Sequence, residues 1–163
     1  MKKKVFLVLT GILILALACY LVSSFMVGGE QDLYEVLNGQ IEELFLDPER
    51  VEWQEFSYMP EDSVGGYLKS FELDGEKIEN LMAYLSSVTV KKSVLEGGIS
   101  EFACLLGTHT DENGNSCSVL VMFGHASENR LSLSVSAQKH TREDFYNITS
   151  GEYPDFDSLF AGE

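Results

Sequence analysis

The chain has 163 residues, with 26 acidic and 11 basic side chains and a formal net charge of −15 at pH 7. A surface this negative repels phosphate backbones and anionic headgroups, so nucleic acid and charge-driven lipid adsorption are excluded as modes of binding. Three cysteines in the whole chain are too few for a disulfide-stapled scaffold.

In chain order, Lys2, Lys3 and Lys4 come first, followed by 23 residues from Val5 to Val27 without a charge. A helix rises ~1.5 Å per residue and crosses the hydrocarbon core in ~20 apolar residues. The run therefore predicts an N-terminal transmembrane helix, long enough to span with some tilt. Thr10, Ser23 and Ser24 can bond back to helical carbonyls, and Gly11 is tolerated in a membrane helix. The lysines are expected to stay cytoplasmic, which puts the rest of the chain outside. Residues 1–27 thus read as a cytoplasmic lysine stub and signal anchor, 28–30 as a short linker, and 31–163 as one extracytoplasmic domain.

Two other fates are written into the same run. Leu15-Ala16-Leu17-Ala18-Cys19 resembles a bacterial lipobox, in which Cys19 carries the lipid. It departs from that pattern at Ala16, where leucine is commoner. It departs again at Tyr20, Leu21 and Val22, which stay apolar where lipoproteins have a polar tether. Ala16-Leu17-Ala18 also fits the small-x-small site of a cleaved secretory signal. Without processing, Cys19 is a small apolar residue of a membrane helix. All three readings place residues 28–163 outside the cytoplasm.

The run holds three of the basic residues and no acid, so residues 28–163 carry eight bases against 26 acids, a formal net charge of −18. The acids are scattered, which reads as solubility rather than as a docking patch for a basic partner. The segment has one domain's worth of residues.

Residues 31–46 place Leu33, Val36, Leu37, Ile41, Leu44 and Phe45 at helical spacing, with Glu30 and Asp32 at the positive end of the dipole. Asp47-Pro48 is expected to end this helix. Residues 50–58 predict a strand carrying Val51, Trp53, Phe56 and Tyr58. The odd spacing from Trp53 to Phe56 predicts a bulge. Residues 59–66 read as a loop, and Tyr67 to Leu73 as a second strand. Asp74 caps a second helix with Ile78, Leu81, Met82 and Leu85 on its buried stripe. Val88 to Val94 alternates as a strand. If it shares a sheet with the preceding strand and runs parallel to it, the crossover is expected to be right-handed.

The last part predicts a meander. Glu101–Thr110 and Ser116–Gly124 are strands joined by a turn at 111–115. Asn113-Gly114 suits the two central positions of a type I′ turn, which both need positive φ. That register sets Thr110 opposite Cys117 and Cys104 opposite Phe123. The two cysteines then lie ~20 Å apart along the strand, far beyond the ~7 Å a disulfide allows. After a turn at 126–129, Leu131, Leu133 and Val135 alternate with Ser132, Ser134 and Ser136, giving a strand with one wet face. Phe145–Thr149 is a final strand. Pro154 opens a short last helix with Phe156, Leu159 and Phe160 on its apolar side. The fold class is α+β: one compact domain with a mostly antiparallel sheet of about five to seven strands and two or three covering helices.

Chemical motifs are sparse. His109 and Asp111 stand two apart near a strand end, a spacing used in metal sites, but two ligands do not make a site. His125 and His140 add no ligand spacing. Asp111-x-Asn113-x-Asn115 has the rhythm of a calcium loop, yet its sixth and twelfth positions are Ser116 and Met122 instead of glycine and an acid. Cys104 or Cys117 beside a histidine could form a nucleophile pair, although both lie in apolar strands where a small core residue is the ordinary role. Gly97-Gly98 lacks the lysine and helix start of a phosphate loop. Trp53 and Tyr58 could serve a binding face, but such aromatics usually belong to a core. Asn147-Ile148-Thr149 is a glycosylation sequon of meaning only in a eukaryotic secretory pathway. No catalytic grammar and no cofactor motif emerges. The reading is a membrane-anchored extracytoplasmic binding or accessory module. The alternatives are a cell-envelope enzyme, such as a metal-dependent hydrolase, and a structural subunit of a membrane complex.

Overall fold

The computed structural model describes residues 12–15, 29–59, 68–93, 101–127, 129–152 and 156–160. Of the anchor expected over 5–27, only residues 12–15 fall within this set; they are helical, with all four apolar side chains more than half exposed. Among the described residues no helix is long and apolar enough to cross a membrane. Cys19, the loop beyond Met59, Tyr67, Val94, Gly97-Gly98 and Pro154 lie outside the described residues.

From residue 31 onward the chain forms an α+β domain. The elements are β1 (Gln31–Asp32), α1 (Leu33–Glu43), a 3-10 turn (Pro48–Arg50), β2 (Val51–Tyr58), β3 (Lys69–Glu72), α2 (Gly75–Ser87) and β4 (Thr89–Ser93). There follow β5 (Glu101–Thr110), β6 (Ser116–Ser127), β7 (Arg130–Ala137), β8 (His140–Ser150) and α3 (Phe156–Leu159). The strands make one antiparallel sheet of eight, ordered β1-β4-β8-β7-β6-β5-β2-β3. The expected five to seven strands fell short because β1 has only two residues, paired with Val90 and Thr89. Such a strand is too short to leave a periodic signal.

Asp32 caps α1 by accepting the Glu35 N–H at 2.7 Å. Leu33, Val36, Leu37, Gln40 and Ile41 face inward. The helix stops at Glu43, earlier than the expected 46. The Phe45 N–H reaches the Glu42 carbonyl at 2.8 Å and the Leu46 N–H reaches Ile41 at 3.3 Å. These two bonds form a Schellman motif, whose central residue takes a left-handed conformation that normally calls for glycine. Here that residue is Phe45, at φ +63°. It is 98% exposed, so it leaves the apolar stripe that its spacing had assigned it to. Leu46 supplies the inward contact instead, packed against the core.

Asp74 caps α2 as expected, accepting the Lys77 N–H at 2.9 Å. This bond holds its carboxyl below the usual range. Leu81 and Leu85 are buried, Ile78 and Met82 partly so, and Glu79 is exposed, which matches the expected phase. β3 and β4 run in the same direction but lie with five strands between them, so α2 travels across the sheet.

The bulge expected in β2 sits at Gln54, where pairing steps from Trp53–Gly107 to Glu55–Leu106. The extra residue lets Val51 and Trp53 before it, and Phe56 and Tyr58 after it, all face the helices. Gly107 is fitted to this site: a Cβ there would come within 2.7 Å of the Trp53 ring and 2.9 Å of the Glu52 carbonyl. Backbone cannot give way as a side-chain tip can. Gly107→Ala is expected to cost about 1–3 kcal/mol by overpacking. Urea titration checks this, and an unchanged midpoint contradicts the close approach.

The central hairpin corrects the expected register. Thr110 pairs with Ser116, His109 with Cys117 and Cys104 with Met122, one residue away from the type I′ alignment. Asp111 and Asn115 close a loop in which the Gly114 N–H bonds back to the Asp111 carbonyl at 3.1 Å. Gly114 takes φ +81°. A type I turn followed by a left-handed glycine is the three-residue alternative to the two-residue turn. Core pattern decides between them. In the observed register Ala103, Leu105 and Gly107 pair with Phe123, Val121 and Val119 on one face. The one-residue slip would set them against the alternate positions of β6, Gly124, Met122 and Leu120.

Both cysteines are free, and they lie on opposite faces of the sheet. Both thiols are expected to titrate in denaturant without reductant. A peptide map joining them contradicts this register.

β7 and β8 turn through Gln138-Lys139 between the paired Ala137 and His140. Gln138 takes φ +55°, the sign that primed hairpin turns need at their first central position. β8 starts at His140, not at the expected Phe145.

The core lies between the helices and one face of the sheet. Leu105, Val119, Val121, Leu133 and Val135 are fully buried beneath α1 and α2. At the β2–β3 end, Phe156 and Phe160 pack on Phe56 with tilted rings at centroid distances of 4.8 and 5.2 Å. Phe71 meets Phe160 at 5.1 Å and Tyr58 at 6.0 Å. α1, α2 and α3 all pack on this face.

Candidate functional site

His109 is brought to the inward face near the end of β5, only 6% exposed. Its Nε2 accepts the Asp47 N–H at 3.2 Å, so the ring pins the connection from α1 to β2. An imidazole that accepts through Nε2 carries its proton on Nδ1. Asp111 turns into the hairpin loop. Its Oδ1 accepts the Asn113 and Asn115 N–H groups at 2.8 Å each, and its Oδ2 accepts Asn115 Nδ2 at 2.8 Å. These bonds, the Asn115 side chain first, hold its carboxyl below the usual range. His109 Nε2 and both Asp111 carboxylate oxygens are therefore engaged in local structure. Among the described residues no group of three His, Cys, Asp or Glu side chains is placed to hold a metal ion.

Register also sets Cys117 across from His109, the juxtaposition a cysteine nucleophile would use. Activation requires a base that can take the thiol proton. His109 spends its Nε2 lone pair on Asp47 instead. Cys104 lies on the other face between Ser57 and Met122, and burial pushes its thiol up, which keeps it protonated and a poor nucleophile.

Where α1 crosses β8 the structure assembles a polar cluster that the sequence pattern did not announce. Asp144 receives Lys92 Nζ at 2.7 Å and Arg142 Nε at 2.9 Å. Arg142 also reaches Glu43 at 3.0 Å. Gln40, 4% exposed, donates to the Tyr146 hydroxyl at 3.1 Å. Burial raises the Tyr146 phenol, against the Gln40 bond, which lowers it. Both carboxylate oxygens of Asp144 are engaged, Oδ1 by Lys92 and Oδ2 by Arg142, so the arrangement suits a latch between helix and sheet. The available signal was the period-two set Arg142, Asp144 and Tyr146, facing Gln40 and Glu43 one helical turn apart.

Trp53 and Tyr58 belong to the core and its margin, with Tyr58 only 4% exposed. An apolar void of about 10 Å³ lies between Leu33, Tyr84, Leu85 and the sheet residues Phe123, Leu131 and Ile148. That is about the room of one water molecule, too small for a substrate. Tyr84 sends its hydroxyl out to the Glu152 carbonyl at 2.6 Å, and burial raises its phenol.

Comparison with protein-family models, curated proteins and solved structures returned no match.

Proposed function

We propose that this chain is a membrane-tethered extracytoplasmic module that binds or assists a partner without catalysing a reaction. The observation that carries the proposal is the 23-residue uncharged run from Val5 to Val27 behind three lysines, followed by an acidic domain. Its length fits a bilayer and its flank orients it. The engagement of His109 and Asp111 in local hydrogen bonds supports the non-catalytic part. The rival enzyme reading requires a transition metal to co-purify with the chain and to be lost on His109→Ala.

Tethering by lipid is the second reading, favoured by Ala18-Cys19. The Cys19→Ser variant separates the two. An uncleaved helix leaves membrane retention and apparent mass unchanged in that variant. Loss of fatty-acid labelling together with loss of processing establishes the lipoprotein instead.

A further inference from the structure

Phe45 breaks two local rules at once. It holds a left-handed backbone, φ +63°, where a Schellman motif favours glycine, and it exposes 98% of an aromatic side chain. The left-handed backbone closes the end of α1, but the aromatic ring adds nothing to the fold, because Leu46 makes the inward contact of the motif. A strained residue that contributes no packing points to a role outside the domain. Glu42, Glu43, Asp47 and Glu49 flank it in sequence; Arg50 pairs with Asp47 and Glu112 at 3.3 Å each and Arg142 with Glu43 at 3.0 Å, so five acids stand against two bases and the surround stays negative.

From this we infer that Phe45 is the anchor of a protein-binding site: it inserts into an apolar pocket whose rim is basic, on a protein other than this one. Charge selects that occupant. A second copy would bring the same acidic surround, and an anionic membrane would oppose it. Exposed aromatics fixed on rigid backbone lose little entropy on docking, which is why they dominate binding energy at interfaces. The helix terminus presents the ring in a set direction before any partner arrives.

This inference deepens the binding-module reading and does not depend on how the chain is anchored. The test places a photo-crosslinking phenylalanine analogue at position 45 of the full chain in its native membranes, with the exposed position 79 of α2 as control. The expected result is an adduct with one other protein at position 45 and none at 79. Once identified and purified, that protein should bind the full chain about thirtyfold or more weakly after Phe45→Ala, the loss typical of an interface hot spot. Phe45→Tyr should retain binding, and raised salt should weaken it. Phe45→Gly should lose binding while its melting temperature stays level or rises, which separates docking from folding. Adducts only with lipid or a second copy, no adduct, or equal binding by the Phe45→Ala chain would overturn the inference. A partner found at Phe45 in a chain that fails the topology test would remove the anchoring proposal and leave this one standing.

Discussion

Replacing Phe56 with alanine is expected to lower unfolding free energy by about 3–5 kcal/mol. Phe56 is fully buried, and it sits where the sheet meets the C-terminal helix. Its ring touches Phe156, Phe160 and Tyr58 at 4.8, 5.2 and 6.2 Å. Truncation removes the transfer free energy of the ring and leaves a cavity that its three aromatic neighbours cannot readily refill. A helix of four residues makes too few internal hydrogen bonds to hold itself. The variant should therefore also release α3, seen as faster amide exchange at Phe160, whose N–H bonds to the Phe156 carbonyl at 3.2 Å. A loss below about 1 kcal/mol, with Phe160 exchange unchanged, contradicts this packing.

Leu81→Ala is expected to cost about 2–5 kcal/mol, while Glu79→Ala should change stability by less than about 0.5 kcal/mol. Leu81 is fully buried on α2 and Glu79 is exposed on the same helix. The pair reads helix phase directly, because the two positions lie about 200° apart at ~100° per residue. Comparable losses from the two changes mean that α2 presents a different face to the sheet.

The sequence made some of this legible for identifiable reasons. Asp74 followed by a stripe at Ile78, Leu81, Met82 and Leu85 located α2, since a cap and a period agreed. The broken alternation at Gln54 located the bulge, since a strand cannot change face without an extra residue. Where two local signals competed, the weaker won the reading. Asn113-Gly114 suggested a two-residue turn, but burial of Ala103, Leu105, Val119 and Val121 on one face requires the longer loop. The start of β8 was invisible because His140, Thr141 and Glu143 are exposed and polar, and the neighbours that make them a strand come from β7. Phe45 was misplaced because periodicity sees only residue type. It cannot tell a residue that ends a helix from one that continues its stripe.

The candidate site was less legible than the fold. His109 and Asp111 were singled out by spacing, yet their roles are set by Asp47 and Asn115, one of them distant in sequence. The latch around Asp144 draws on α1, β4 and β8, so only the folded chain assembles it. Phe45 required a backbone angle and an exposure, neither of which can be read from residue order.

The proposed anchor, the apolar run after Lys4, would hold the acidic domain outside the cytoplasm. Its most direct measurement is protease accessibility on intact cells stripped of wall, with a tag fused after Glu163. The expected result is digestion of the domain and loss of the tag while a cytoplasmic marker stays intact. A tag protected until the membrane is broken, or recovered in the soluble cytoplasmic fraction, contradicts it.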